Sequence, residues 1–245
     1  MSRARRISLA LVYGVSSHLT FAVAVAWMIF SLYDGLRPGR GPLHGTWAWV
    51  ANLALVAQFP LLHSWLLASS GRAALARLAP KEFGRDLAPT TFAWIGSLQV
   101  LATFALWSPT GIVLHEAEGA SLWLFRALFA ASWLFLIKAL SDAGLGLQTG
   151  SIGWTAVLKG ERPRYGEMPT HGLFRACRQP VYLGFALTLW TGPVHTLDSL
   201  VLAVLWSLYC AIGPLHKERR YLRIYGQRFE SYRSSVPYIL PRIRP

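Results

Sequence analysis

Four long stretches of this chain carry almost no charge: residues 7–33, 47–70, 89–109 and 121–140. Each is near or above the roughly 20 residues an α-helix needs to cross the hydrocarbon of a bilayer. A soluble core would need alternating polar faces, and these stretches mostly lack them. Arg126 and Lys138 lie near the two ends of the fourth stretch, where long stems reach the interface. Only 14% of the 245 residues are charged and 53% are hydrophobic, against roughly 25% charged in soluble domains. The expected fold is all-α, a polytopic integral membrane bundle. The first stretch follows Arg3, Arg5 and Arg6, but it is too long for the apolar part of a secretory leader and more spans follow. It therefore reads as a retained span.

The formal net charge is +13, which in a soluble chain would suggest nucleic acid. Its distribution points elsewhere. Arg72, Arg77, Lys81 and Arg85 fall in the second loop, and Lys159, Arg162, Arg164, Arg175 and Arg178 follow the fourth span. Eight more basic residues run from Lys217 to the end, whereas residues 110–120 hold two glutamates and neither Lys nor Arg. This is the positive-inside pattern: both termini, the second loop and residues 141–180 face the cytoplasm. Arg37 and Arg40, in the first outer loop, are exceptions. The basic faces suit anionic membrane lipids, and no basic and aromatic interleaving calls for a nucleic-acid partner.

Residues 1–143 read as a four-span amino-terminal region, and residues 144–245 as a second region of different character. There, residues 141–180 are glycine-rich and too polar to cross lipid. Residues 181–190 are apolar, residues 191–196 (TGPVHT) break the run, and residues 197–215 are apolar again. These pieces predict a helical hairpin or broken helix pair returning to one side. Residues 216–226 predict a basic amphipathic helix stopped by Gly226. Pro237 and Pro241 predict an extended terminus fixed against other parts of the chain.

The stretch CRQPVYLGF, residues 177–185, gathers polar groups at the mouth of an apolar run. Pro180 suits a first helical turn, where its missing N–H is not needed. The free N–H groups after it can face an anion, and Arg178 adds a fork of donors. Tyr182 offers an aromatic surface and Gly184 a close-approach position, while His171 and Gly172 supply a titratable ring and a flexible joint. Such a mouth either holds the amino-acid end of a cofactor or anchors on phospholipid phosphate with Tyr182 in the aromatic belt. Glu218, between Lys217 and Arg219, either compensates a cationic cofactor, fixes an arginine, or forms a surface ion pair. His63 and Ser64 fall late in the second span, and His63 either lines a site, is a satisfied core histidine, or makes a buried span-to-span hydrogen bond. Asp142, Gln148 and Thr149 either line the same cavity or cap helices. Cys177 and Cys210 read as free thiols. No Cys pair or HxxxH spacing suggests a metal site, and no glycine-rich dinucleotide or phosphate loop is present.

The stretches HGLFRACRQPVYLGF, GPLHKERRYLRIYG and FESYRSSVPYILP resemble the carboxyl half of the isoprenylcysteine carboxyl methyltransferase superfamily, over roughly residues 168–241. QFPLLHSWLLASSGRAAL (58–75) and residues 137–160 are similar to its bacterial methanethiol S-methyltransferase branch, with NnrU-like membrane proteins more distant. The resemblance implies a bacterial inner-membrane enzyme using S-adenosyl-L-methionine, with residues 144–245 as its cofactor-binding region. It implies cofactor binding by His171, Gly172, Arg178, Gln179, Pro180, Tyr182, Gly184 and Glu218. Glu218 and Arg219 would act in catalysis, with His63 lining the acceptor side. The implied reaction is methyl transfer to a small or hydrophobic thiol. The alternatives are a lipid or isoprenylcysteine carboxylate acceptor, or an inactive module of the same fold. Two positions depart from the superfamily pattern: Gln179 stands for its usual histidine, and Lys217 for the first glutamate of its acidic pair.

Overall fold

A backbone in hydrocarbon must satisfy its hydrogen bonds internally, so long apolar stretches close into helices. The computed structural model of the protein describes residues 2–241; Met1 and the last four residues of the predicted tail, 242–245, lie outside the described residues. In chain order the helices are α1 (Arg3–Tyr33), α2 (Gly45–Leu67), α3 (Ser69–Leu78), α4 (Gly84–Ala105), α5 (Gly119–Asp142), the single turn α6 (Leu145–Gln148), α7 (Ser151–Lys159), α8 (Pro180–Trp190), α9 (Leu197–Tyr225) and α10 (Gln227–Ser235). Five of them are long and apolar enough to cross a membrane: α1, α2, α4 with its leading turn, α5 and α9. Several fully outward-facing side chains on these helices are large and apolar, such as Val12, Trp47, Trp123 and Leu134. Water would penalise such faces and lipid does not. The mostly helical chain thus fits a polytopic membrane bundle.

The chain divides into two compact units, one formed by residues up to Ser31, Pro38–Pro109 and Gly144–Glu167. In this unit α2, α3 and α4 pack on one another and α7 packs on α4. Its interior is joined by polar pairs, which suits helices that gain little from apolar contact in lipid. Gln99 Nε2 donates to Gln58 Oε1 at 2.8 Å, and Gln58 Nε2 to Thr103 Oγ1 at 3.0 Å. Asn52 exchanges hydrogen bonds with the backbone of Ser108. Thr90 Oγ1 donates to the Gly150 carbonyl at 2.6 Å and accepts the Trp154 N–H, fixing the entry to α7.

The second unit comprises Leu32–Arg37, Thr110–Ala143 and Met168–Pro245. Here α8 packs between α5 and α9. A Cβ on Gly184 would lie 3.0 Å from Leu136 Cα and 3.2 Å from its Cβ, so glycine lets α8 close on α5. Trp190 Nε1 donates to Ser207 Oγ at 2.9 Å, tying α8 to α9.

Two short strands escaped the sequence reading. β1 (Val113–Glu116) and β2 (Val194–Thr196) pair antiparallel, with His115 opposite His195. Runs of three or four residues are too short for a two-residue period to register. Around them gather segments expected on the outer face. Thr196 Oγ1 donates to the Gly35 carbonyl, Leu197 N–H to Ile112 O at 3.0 Å, and Thr110 Oγ1 to Asp198 Oδ2 at 2.7 Å. Arg37, an exception to the charge rule, is held by Asp34 and by Glu116 at 3.1 Å. Its charge is locally cancelled, and this weakens its vote on orientation.

Helix α9 differs from the expectation at its far end. Residues 216–225 form no separate helix; they prolong α9 until Gly226, whose φ of 49° suits glycine. Pro214 withholds one backbone N–H from the ladder near this junction, yet the helix runs on through it. Replacing Gly184→Val should force α5 and α8 apart and cost about 1–3 kcal/mol. Thermal unfolding in detergent would detect it, and an unchanged melting temperature would contradict the close packing.

Candidate functional site

The site grows from the chain entering α8. A short turn over Gly172–Arg175 precedes it, and the Leu173 N–H donates to Asp142 Oδ2 at 2.8 Å. Lys138 pairs with the same carboxylate. Gly172 has φ 57°, and a Cβ there would run into the Asp142 carboxylate. Asp142 therefore anchors this turn, as a cap would. The turn buries Phe174 and Cys177. Burial pushes the Cys177 thiol up, which keeps it protonated and unreactive.

Gln179 is the residue before the first turn of α8, Pro180 opens the helix, and the Leu183 N–H closes on the Gln179 carbonyl at 3.0 Å. This backbone sends two side chains toward α9. Arg178 Nε donates to Glu218 Oε1 at 2.8 Å, and Gln179 Nε2 donates to the same oxygen at 2.8 Å. Lys217 Nζ in turn donates to Gln179 Oε1 at 3.0 Å. The side chains of Arg178 and Glu218 are only 10% and 8% exposed, so their mutual charge is largely shielded from water. With Lys217, the cluster has two cations for one carboxylate.

The carboxyl-terminal segment closes over Arg178. Its Nη1 donates to Arg233 O at 2.9 Å and to Val236 O, and its backbone N–H donates to Pro237 O at 2.9 Å. The Tyr238 ring lies 5.5 Å from the guanidinium carbon. Tyr232 Oη donates to Phe174 O at 2.7 Å, and Tyr238 Oη to Ala211 O at 2.8 Å. Burial pushes the Tyr238 phenol up to about 12, with Glu218 adding to the rise and Arg178 opposing it. Burial also raises the Tyr232 phenol, so both remain neutral donors at physiological pH.

Pro169, Phe174, Arg178, Gln179, Lys217, Tyr221, Phe229 and Tyr232 line a cleft here of about 10 Å³, room for about one water. Phe174, Tyr221, Phe229 and Tyr232 were missed in the sequence. They are scattered over about sixty positions and share no spacing, although each falls in one of the three stretches that carry the resemblance.

Of the residues singled out by sequence, Arg178, Gln179 and Glu218 converge, and Pro180 and Tyr182 stand beside them in the first turn of α8. His171 is exposed at the edge of the turn, and Arg219 is exposed on α9. The arginine on Glu218 is Arg178, not Arg219. Gly172 and Gly184 meet Asp142 and Leu136, which gives each a packing role. His63 belongs to the other unit, its ring stacked on Phe59 with centres 4.9 Å apart and tilted against Phe92 at 4.6 Å. Its Nδ1 is buried without a hydrogen-bond partner among the described residues.

The whole chain has bacterial relatives. It is 26% identical over 246 residues to the methanethiol S-methyltransferase of Crocosphaera subtropica, spanning 95% of this chain and 92% of that protein. The methanethiol S-methyltransferase of Mycobacterium tuberculosis is 26% identical over 246 residues, spanning 95% of this chain and 96% of that protein. Methanethiol S-methyltransferase 1 of Bradyrhizobium diazoefficiens is 26% identical over 245 residues, 95% of this chain and 82% of that protein. No family model matches the chain, and no solved structure matches it.

Removing one partner of a buried ion pair strands the other, at a cost of about 3–5 kcal/mol. Glu218→Ala should therefore lower the unfolding free energy by about that much in detergent, and Glu218→Gln by less because it keeps an acceptor for Arg178. Equal melting temperatures for wild type and Glu218→Ala would show that the pair is not holding the fold.

Proposed function

We propose that this protein is an S-adenosyl-L-methionine-dependent membrane methyltransferase acting on a small or hydrophobic thiol. The observation that carries the reading is the buried Arg178–Glu218 pair, two positions at which the chain resembles the methyltransferase superfamily, with Gln179 and Lys217, its two departures, bonded around it. The named activity of its full-length relatives supports the thiol.

The donor chemistry fits such a cofactor. Arg178 offers a planar fork to a carboxylate, and two of its donors now rest on neutral carbonyls of the tail, weaker acceptors than a carboxylate. Phe174, Tyr221, Phe229 and Tyr232 offer flat faces to an adenine. Space does not fit a nucleoside at about 10 Å³. Entry therefore requires the segment after Tyr232 to lift from Arg178, and the bonds to be exchanged are those of Arg233 O, Val236 O and Pro237 O.

When bound, the cofactor supplies an electrophilic methyl group. Glu218 acts on Arg178, keeping its fork aimed, while Gln179 donates to the same carboxylate oxygen. Arg219 adds to a basic rim that favours a thiolate, the nucleophilic form of a thiol. His63 is our candidate for lining the acceptor side, with a buried Nδ1 that has no hydrogen-bond partner among the described residues. The cleft faces the cytoplasm in this reading, since α8 and α9 return the chain to the basic side as a hairpin.

Purified protein in detergent should release heat on titration with S-adenosyl-L-homocysteine. Arg178→Lys keeps a cation beside Glu218 and should stay folded, yet bind about tenfold or more weakly because the fork is lost. A labelled methyl donor with methanethiol should then give a volatile labelled thioether. His63→Phe should lower turnover and leave cofactor affinity intact. Product only in the lipid phase would move the acceptor to a lipid or isoprenylcysteine carboxylate. Absence of binding by folded protein would overturn the methyltransferase reading.

A further inference from the structure

Lys217 has an unusual setting for a lysine. Its Nζ lies 5.7 Å from the Phe174 ring centre, 5.7 Å from Tyr182 and 5.4 Å from Tyr221. Its hydrogen bond goes to the neutral amide oxygen of Gln179 at 3.0 Å. The adjacent carboxylate, Glu218, is engaged by Arg178 and Gln179 instead. In direct contact the ammonium meets three ring faces and one amide dipole, while Glu218 attracts it through space.

A ring of aromatic faces selects cations by their size and weak hydration. A lysine ammonium is a poor guest by that standard, since it is compact and strongly hydrated. A sulfonium spreads its charge over alkyl groups that fit against rings. The three rings come from separate parts of the second unit: the turn before α8, α8 itself and α9. Lys217, Phe174 and Tyr221 also line the cleft beside Arg178.

We propose that Phe174, Tyr182 and Tyr221 form a binding cage for an alkylated sulfonium, and that the Lys217 ammonium is a built-in competitor which the sulfonium displaces. Assigning that sulfonium to the methyl donor rests on the function proposed above; the preference of the cage for a cation does not. The lysine stem is flexible, so displacement needs no helix to move. Glu218 keeps its two partners throughout, because neither of its bonds runs through Lys217.

The test uses trimethylsulfonium as the probe and neutral dimethyl sulfide as its control, followed by saturation-transfer NMR on the full chain in detergent. Lys217→Ala should bind trimethylsulfonium about tenfold or more tightly than wild type, with no gain for dimethyl sulfide. Adding Tyr221→Leu should abolish that gain. Lys217→Met keeps the packing of the stem without the charge, and guards against a misfolded alanine variant; it should fall between the two. In the same variants, the affinity ratio of S-adenosyl-L-methionine to S-adenosyl-L-homocysteine should rise about tenfold. A folded Lys217→Ala or Lys217→Met protein with wild-type trimethylsulfonium affinity would overturn the cage. Trimethylsulfonium binding without binding of either nucleoside would uphold the cage and overturn the cofactor assignment.

Discussion

The second unit turns on the ion pair between Arg178 and Glu218. Two charges largely removed from water are costly unless each is paired and hydrogen-bonded. Here both conditions are met by pieces distant in sequence: the turn before α8, the basic end of α9 and the carbonyls of the closing segment. Releasing any one of these pieces leaves a charge short of partners. The pair therefore couples the docking of the tail to the position of α9.

The two departures from the superfamily pattern become intelligible in the same cluster. Gln179 and Lys217 contact each other directly, amide oxygen to ammonium. A histidine facing a glutamate would give a different pair with a different charge. An amide cannot titrate, but it can donate to Glu218 and accept from Lys217 at once, and it does both. The two positions, far apart along the sequence, touch each other in the structure.

Much of the fold was legible because lipid imposes simple rules. Charge-free length gave four spans within a few residues, and Pro180 and Gly226 marked helix ends. The β1–β2 ladder was invisible, since its bonds join residues about eighty positions apart and its strands are too short to show a period. Arg178 and Gln179 were singled out at a helix mouth and Glu218 at the end of the last apolar run, and the three side chains meet in the structure. The aromatic walls were not singled out, because a ring that lines a cleft and a ring that fills a core have the same sequence signature. Gly184 shows the converse. Its close-approach role was expected, but the surface that approaches is Leu136 of a neighbouring helix.

Helix α9 carries Lys217, Glu218 and Tyr221 on the same unbroken run that starts at Thr196, where the Thr196 and Ser199 side chains cap its first turn and Asp198 ties it to Thr110. Its rotational phase is thus set some twenty residues from the charges it delivers. Each residue added or removed between them would turn the basic end by about 100° and shift it by about 1.5 Å. The length of that apolar run is consequently a coordinate of the site. Lipid tolerates almost any apolar side chain on the outward face, so Val204, Leu208 and Ile212 are free in identity while the run as a whole is constrained in number.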